Sequence, residues 1–461
     1  MTGAYSSILV CGLGRTGLSL ARHWAAAGAR VAVADTRESP PCLGELRSLL
    51  PDCRFETCDE GRMAEMAGGH DAVALSPGLS PAPFRSASCR VLGEVGCFLG
   101  SLSERPEAAR PRLIAVTGTN GKSTLVSMLD CMLRACGRTS EAIGNIGRPM
   151  LDALADWGRE GAAPEFAVLE LSSFQLEVAP SVPAEVSVAL NVSEDHLDRH
   201  GTMGAYAAAK ARIYRGAACA AVNRSDPACV AMERACPDEI GFAPSAADAE
   251  DGDWRADSAD GAVARVSRGD GEIHEMSGAF AHPPMLSNAL AAMAVSEPLG
   301  IPAGKRLLSL RDYAPLPHRM NFSGKVGGVT FYDDSKATNV AAAAAAIARF
   351  GDGMTVVIAG GDAKGQEFGP LAEAALGRVA HFVLIGADAA RIEGAMRPRG
   401  IPCSRAEGMS DAVGLARSLA PQGGRVLLSP ACSSLDMYDS YAARGEDFAR
   451  SVRQASPSHA A

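Results

Sequence analysis

Short apolar runs alternate with segments of helical period along most of the chain, and the runs tend to end in polar residues. The first stretch reads "SILVCGLG", a helical pattern through "GLSLARHWAAAG", then "ARVAVADT" and later "DAVALSPG". Strand, helix and strand in that order predict a parallel sheet, which takes its ligand beyond the carboxyl ends of its strands. Residues 101–112, "SLSERPEAARPR", are polar and proline-containing and mark a boundary before the next strand. The second stretch repeats the scheme with "LIAVTGTNGKST", "PEFAVLELSS" and "EVSVALNVSEDH", so Lys, Glu and His stand at three strand ends. Between Pro237 and Pro284 the chain is acidic and glycine-rich. There "GAVARVSRGDGEIHEM" alternates on either side of a Gly-Asp-Gly turn and predicts a β-hairpin, with no visible catalytic chemistry. A third stretch begins near Pro315 with strands "GVTFYDDS", "MTVVIAGG", "HFVLIGAD" and "RVLLSPAC". The alanines at 341–346 lie between two of these strands and predict a packed helix, since alanine has the highest helix propensity. The final "SPSHAA" is expected to fray.

A chain of 461 residues, 47% of them hydrophobic, exceeds one ordinary core and divides into several domains. The pattern predicts three α/β domains, 1–103, 104–314 and 315–461, with mostly parallel sheets. With 44 basic against 53 acidic side chains, the net charge of −9 argues against nucleic acid or an anionic membrane as partner, so any phosphate must be held by local sites. No apolar run reaches membrane-spanning length and the first residues lack a signal-peptide pattern, so the expected location is the cytoplasm without membrane insertion. Thirteen cysteines without one Cys-x-x-Cys suggest neither a disulfide framework nor a zinc site.

Gly12-Leu13-Gly14-Arg15-Thr16-Gly17 opens the first helix, and Asp35 follows at the spacing of a dinucleotide fingerprint, about twenty residues on. A stronger signal is "VTGTNGKST", residues 116–124, between an apolar strand and an amphipathic helix. Its glycines let backbone N–H groups close around phosphate, the helix N-terminus adds its dipole, Lys122 reaches the terminal phosphates and Ser123 is a magnesium ligand by type. Val116 stands where the strict P-loop has its first glycine. Glu170 and His196 end strands that should flank the phosphate-loop strand, where nucleotide-bound Mg²⁺ needs oxygen or imidazole ligands. Read alone, Lys210 in "YAAAKARIY" is a solvated helical lysine. Lys336, Thr338, Lys364, Ser434 and Leu435 each follow a strand of the third stretch and can converge on one ligand, and Arg319 offers a phosphate or ribose donor.

In order, "GLGRTG", "DTR", "SPG", "TGTNGKST", "GNIG", "ELSSFQLE", "NVSEDHLDRH", "AAAKARIY", "LPHR", "DDSKATN", "GGDAKG" and "LSPACSSLD" resemble the Mur ligases, and "DSKATN" points to the branch that adds D-glutamate. The resemblance spans almost the whole chain, Val10 to Phe448, and implies a Rossmann-like N-terminal domain at 1–103, a P-loop-type central ATPase domain with a mostly parallel sheet at 104–314 and a Rossmann-like C-terminal domain at 315–461. It implies ATP-dependent ligation of D-glutamate to UDP-N-acetylmuramoyl-L-alanine through an acyl phosphate, a cytoplasmic step of peptidoglycan precursor synthesis, by a monomer. The glycine loop would then face a UDP diphosphate instead of a dinucleotide: Gly14, Arg15, Thr16, Asp35, Thr36, Arg37, Ser76, Pro77, Gly78 and Ser172 are implied for the UDP-sugar. For ATP the implied residues are Gly118, Thr119, Asn120, Gly121, Lys122, Ser123, Thr124, Asn145, Asn288, Arg319 and Asp334. Two Mg²⁺ ions would be held by Ser123, Glu170, His196 and Lys210, the last as a carbamate because an ammonium has no lone pair for a cation. Lys122, Glu170, His196 and Lys210 would form the catalytic set, and Lys336, Thr338, Lys364, Ser434, Leu435 and Tyr441 would receive D-glutamate. Two positions depart from the pattern: Pro284-Met285 replaces a His-Asn pair at the adenine contact, leaving Asn288 alone there, and Tyr441 replaces a phenylalanine. Three other readings stay open: a sibling ligase for another amino acid, an NAD-dependent oxidoreductase and a non-catalytic nucleotide-binding regulator.

Overall fold

Three sheets carry the chain in the computed structural model, which describes residues 5–86, 88–161, 163–258, 263–269, 271, 273–281, 284–350 and 353–455. The first sheet contains β1 (Ser7–Cys11), β2 (Arg30–Asp35), β3 (Arg54–Thr57), β4 (Ala72–Leu75) and β5 (Arg90–Gly93), all parallel, in the order β3-β2-β1-β4-β5. The order reverses between β1 and β4, which opens a crevice beyond their carboxyl ends. A side chain at Gly17 would drive its Cβ to 1.8 Å from the Gly12 carbonyl oxygen, so only glycine lets the first helix, Arg15–Ala26, seat on the turn before it.

The second sheet contains β6 (Arg112–Thr117), β7 (Ser140–Gly144), β8 (Phe166–Glu170), β9 (Val186–Ala189), β10 (Cys219–Asn223), β11 (Asp238–Ala243), β12 (Trp254–Ser258), β13 (Val263–Arg268) and β14 (His274–Ser277), in the order β14-β13-β12-β11-β10-β9-β6-β8-β7. From β7 to β12 the pairing is parallel, and β6 runs between β8 and β9, the strands expected to flank it. The acidic stretch supplies the antiparallel edge: β13 and β14 form the expected hairpin and β12 joins it. Asp270 of the turn lies outside the described residues.

The third sheet contains β15 (Asn321–Val326), β16 (Val329–Asp333), β17 (Thr355–Gly360), β18 (Val379–Ile385), β19 (Cys403–Arg405) and β20 (Arg425–Leu428), in the order β15-β16-β20-β17-β18-β19. Only the β15–β16 pair is antiparallel. The alanine run is a helix, Val340–Ala348, capped by the Asn339 side chain on the Ala342 N–H, with Ala343 and Ala346 buried. The "SPSHAA" tail lies outside the described residues.

Two compact bodies emerge. One contains Met1–Val192, Gly204–Ser277 and Leu286–Tyr313, hence the first two sheets; the other contains Ser193–Met203, Gly278–Met285 and Ala314–Ala461. The polar stretch at 101–112 is less of a break than its composition suggests. Ser101 to Ser103 still belong to the helix Glu94–Ser103, held by buried Leu102, and a short turn at Glu107–Ala109 leads into β6. Helix Met150–Glu160 of the second sheet packs on the first-sheet layer, with Trp157 edge-on to Phe98 at 6.1 Å and the Ser19 hydroxyl donating to Asp152 at 2.8 Å. Glu94 is buried at this junction, and its Oε1 accepts the Met150 N–H at 2.7 Å. No helix among the described residues is long and apolar enough to cross a membrane.

Burial pushes the Glu94 carboxyl up to about 7, against the pull of the Met150 and Leu151 N–H groups. In the unfolded chain it titrates near 4.5, so between these values the folded state keeps a proton that the unfolded state has released, and stability falls as pH rises. Glu94→Gln keeps the acceptor and removes the titration. Urea denaturation across a pH series is expected to show the variant gaining on the wild type from about pH 4.5 to 7 and the difference levelling above; a difference independent of pH would contradict this.

Candidate active site

At the crevice of the first sheet the loops after β1 and β4 touch. Gly12 has φ +85° and lies so close to the second loop that a Cβ there would stand 2.8 Å from that of Ser76. This packing joins the glycine loop to Ser76-Pro77-Gly78, and Gly14 caps the helix whose first turn holds Arg15 and Thr16. Asp35 ends β2 with 1% of its surface exposed. Its Oδ2 accepts the Leu13 N–H at 2.6 Å, and the Arg37 backbone N–H and guanidinium occupy the remaining lone pairs at 2.8 to 2.9 Å. Burial alone would raise its pKa, but the Arg37 side chain and the two backbone N–H groups hold the carboxyl below the usual range. A dinucleotide site needs this carboxylate to accept ribose hydroxyls. Here it is turned inward, shaping the loop and holding Arg37, while Thr36 and Arg37 face solvent.

In the second sheet, β6 runs into residues 118–121 and the helix Lys122–Ala135, capped by Gly121 at φ +84°. Lys122 folds back so that its ammonium donates to the Gly118 and Thr119 carbonyls at 2.8 and 2.9 Å. Lys210 donates to the same Gly118 oxygen at 2.8 Å, and its ammonium lies 4.4 Å from the Tyr206 ring centroid. Asn191, just past β9, braces the loop: its Oδ1 accepts the Asn120 N–H at 2.8 Å and its amide donates to the Asn120 carbonyl at 3.1 Å. Thr119 is within 3.2 Å of the Tyr206 hydroxyl. Ser123 and Thr124 are buried in the first helical turn, and the buried Asn288 amide sits against Gly121, its oxygen 2.6 Å from where a Cβ would stand. At the end of β8, Glu170 is 2% exposed; the Asn145 amide donates to its Oε1 at 2.8 Å, and Oε2 is buried without a hydrogen-bond partner. Ser172 and Gln175 form a capping box on the helix Ser173–Glu177, which gives the Ser172 hydroxyl a structural partner.

Within the second body the loops after β16, β20 and β17 leave adjacent strands and are stitched together. The Ala431 N–H donates to the Ala337 carbonyl at 2.9 Å, and Asp362 and Ser433 exchange backbone bonds at 2.8 and 3.1 Å. This gathers Lys336, Thr338, Lys364 and Ser434 from three loops. Lys364 is held at φ +49°, a left-handed conformation that a lysine adopts at a cost. The Lys336 ammonium lies 3.8 Å from the Tyr441 ring centroid, and Leu435 is 70% exposed. Beneath them Arg444, 1% exposed, donates to Ser335 Oγ at 3.0 Å, to the Ser335 carbonyl at 2.9 Å and to the Cys432 carbonyl at 3.2 Å. Burial draws its pKa down to about 10. Asp334 accepts from the Ser429 hydroxyl at 3.1 Å; burial pushes it up to about 7, with Asp333 adding to the rise and Ser429 and Arg319 opposing it. Asp195 and His196 also belong to this body: Asp195 accepts from the Asn339 amide at 3.1 Å and from the His196 backbone N–H at 3.0 Å, and His196 has φ +54°.

Residues 6–87 match the Mur ligase MurD-like N-terminal domain, 116–296 the Mur ligase middle domain, and 318–432 the Mur ligase glutamate ligase domain. The UDP-N-acetylmuramoylalanine--D-glutamate ligase of Thiobacillus denitrificans is 41% identical over 97% of this chain and 96% of its own length. The chain is a Mur ligase. The protein of the same name from Aromatoleum aromaticum is also 41% identical, over 98% of both chains. Among solved structures, UDP-N-acetylmuramate-alanine ligase of Thermotoga maritima has a TM-score of 0.62 at 17% identity, covering 97% of this chain and 99% of that one. A second ligase from the same organism, MurF in complex with ADP, gives 0.61 at 18% identity, with 97% and 95% covered. At that identity these two support the three-domain α/β fold alone.

One reading of this Mur ligase needs correction. Lys210 is not a solvated lysine: it is 1% exposed, because the helix Met203–Ala211 turns Tyr206, Ala209 and Lys210 inward together. Sequence reasoning also missed Asn191, Tyr206 and Arg444. The spacing of Tyr206 four residues before Lys210 was a usable signal, whereas an arginine in an amphipathic helix such as Tyr441–Gln454 carries none. The expected metal ligand Glu170 fits by chemistry: its Oε2, a hard oxygen donor, is buried without a hydrogen-bond partner. Among the described residues no three His, Cys, Asp or Glu side chains gather into a cage.

Burial gives Lys210 a structural role that a solvated helical lysine would not have. Removing the side chain leaves a cavity and takes one donor from Gly118, so denaturant titration is expected to show a loss of about 2–4 kcal/mol, with a smaller loss for Lys210→Met, which fills the space. An unchanged midpoint in the alanine variant would contradict the buried placement.

Proposed function

We infer that this Mur ligase joins D-glutamate to UDP-N-acetylmuramoyl-L-alanine with hydrolysis of ATP to ADP and phosphate, a step of peptidoglycan precursor synthesis. What carries the reading is the near full-length similarity to relatives named for that activity, on a chain whose three strand-end clusters suit the three substrates. We draw the domain boundaries at 103/104 and 314/315, which leaves one sheet to each domain, and assign the enzyme to the cytoplasm, where such precursors and ATP occur.

A free carboxylate resists amines because oxide is a poor leaving group. Attack of an alanyl carboxylate oxygen on the γ-phosphorus of ATP releases ADP and gives an acyl phosphate. The D-glutamate amine, having lost a proton, then attacks the acyl carbon, and the tetrahedral intermediate expels phosphate. The enzyme must position the reactants and neutralise charge. Backbone N–H groups at the start of the helix Lys122–Ala135 and the Lys122 ammonium would hold the β- and γ-phosphates. Asn145 would orient Glu170, which with Ser123 would hold Mg²⁺. Magnesium, when bound, supplies positive charge against the phosphate oxygens. Lys210 as a carbamate would present carboxylate oxygens to a second ion; the change also turns the meeting of two ammonium groups on one carbonyl into an attraction. Asn288 would serve the nucleotide from beside Gly121. In the second body, His196 would be a metal ligand, Arg319 and Asp334 would face nucleotide, and the ammonium groups of Lys336 and Lys364 would take the two carboxylates of D-glutamate, with Thr338, Ser434, Leu435 and Tyr441 around them. The inward-turned Asp35 disfavours the oxidoreductase reading.

Phosphate release with ATP, Mg²⁺ and the sugar nucleotide is expected to require D-glutamate, with L-glutamate and diaminopimelate inactive; equal turnover of diaminopimelate would move the enzyme to a sibling activity, and NADH binding without phosphate release would restore the oxidoreductase. Well below its unfolding transition, Lys210→Ala is expected to be inactive and partly rescued by acetate in proportion to its concentration, while Lys210→Arg stays inactive. Full activity of the arginine variant would exclude the carbamate.

A further inference from the structure

Three side chains from the first-sheet layer grip one short stretch of the second. Arg15 Nη2 donates to the Gly147 carbonyl at 3.0 Å, the Ser19 hydroxyl donates to Asp152 at 2.8 Å, and Glu94 accepts the Met150 N–H at 2.7 Å. The stretch they hold begins at residues 144–147, a tight loop closed by the Gly144 N–H on the Arg148 carbonyl at 3.1 Å. Two residues before Gly147, Asn145 donates its backbone N–H to the Glu170 carbonyl at 2.9 Å and its amide to Glu170 Oε1 at 2.8 Å. The chain of contacts therefore runs from the glycine loop to the carboxylate whose second oxygen is buried and unpartnered. Arg15 stands at the start of this chain and is itself exposed at the mouth of the glycine loop. A guanidinium presents several N–H donors in a rigid plane, so one edge can hold a carbonyl while another holds a phosphate; an ammonium on a flexible stem has no such fixed pair of edges.

We propose that Arg15 couples the two phosphate sites, binding the diphosphate of the sugar nucleotide and the Gly147 carbonyl together, so that sugar-nucleotide binding fixes the loop carrying Asn145 and thereby Glu170. The inference rests on the ligase reading for the identity of the two ligands. Its consequence is thermodynamic: the sugar nucleotide tightens binding of magnesium nucleotide, and magnesium nucleotide tightens the sugar nucleotide by the same factor.

The test is calorimetric binding of the magnesium complex of β,γ-imido-ATP to the wild type, Arg15→Lys and Arg15→Leu, each with and without saturating UDP-N-acetylmuramoyl-L-alanine. In the wild type the sugar nucleotide is expected to tighten the analogue about fivefold or more. Arg15→Lys is expected to keep most of the sugar-nucleotide affinity, because the charge remains, yet to lose the coupling; Arg15→Leu loses both, and its coupling is read at sugar-nucleotide concentrations raised to saturation. Lysine separates the two roles, since a residue that only attracted phosphate would leave the coupling factor of this variant intact. A wild-type factor of one, or variants that keep the wild-type factor, would overturn the proposal. Phosphate release by the same wild-type preparation tests the ligase reading separately: its absence would withdraw that reading, and the binding measurements would decide the coupling on their own.

Discussion

The Gly118 carbonyl accepts from two ammonium groups, Lys122 of the loop's own helix and Lys210 of a helix that follows a neighbouring strand. An oxygen has two lone pairs and can do this, but two positive charges meeting on one neutral oxygen repel each other in a poorly solvated place. In the ligase reading this positive charge faces the phosphates of the nucleotide. Around it the backbone is held open by constraint: Gly118 at φ +149° leaves no room for a Cβ against Leu190, Asn191 ties Asn120 at both its N–H and its carbonyl, and Tyr206 lies under Lys210. Because β6 runs between β8 and β9, the same few ångströms of sheet edge also receive Glu170 and the start of the "NVSEDH" loop.

The other two sheets solve the same problem with different partners. In the first, the cation Arg37 is held by a buried carboxylate, and Asp35 simultaneously fastens the glycine loop through the Leu13 N–H. In the third, buried Arg444 is held by Ser335 Oγ and by the carbonyls of the loops that carry the site. Carbonyl partners leave its charge uncancelled, which is why burial lowers its pKa, and they make those loops depend on the last helix for their position. In each case a cation is fixed by groups that also set the backbone.

Much of this was legible because it was local. The glycine loops, Lys122, Glu170 at a strand end and the alanine helix follow from residue type, spacing and period. What escaped depended on contacts distant in sequence. The burial of Lys210 rests on a helix so rich in alanine that its period does not mark an inner face; Arg444 looks like any arginine on an amphipathic helix. The short strands β3, β5 and β7 carry too few apolar residues to stand out from their flanks. The polar composition at 101–112 hides that Ser101 to Ser103 still belong to a helix anchored by the single buried Leu102. That Ser193–Met203 packs with the second body could not be read from a segment that directly follows a strand of the first.

In the ligase reading the cationic loop serves to activate a carboxylate, and the fate of one oxygen atom tests that directly. With UDP-N-acetylmuramoyl-L-alanine carrying ¹⁸O in its alanyl carboxylate, attack on the γ-phosphorus and later loss of phosphate must move one labelled oxygen from substrate to phosphate. Mass spectrometry of the phosphate released in the presence of D-glutamate is therefore expected to show one ¹⁸O per molecule and none in ADP. Unlabelled phosphate would contradict the account, since ATP would then be hydrolysed without ever joining the carboxylate.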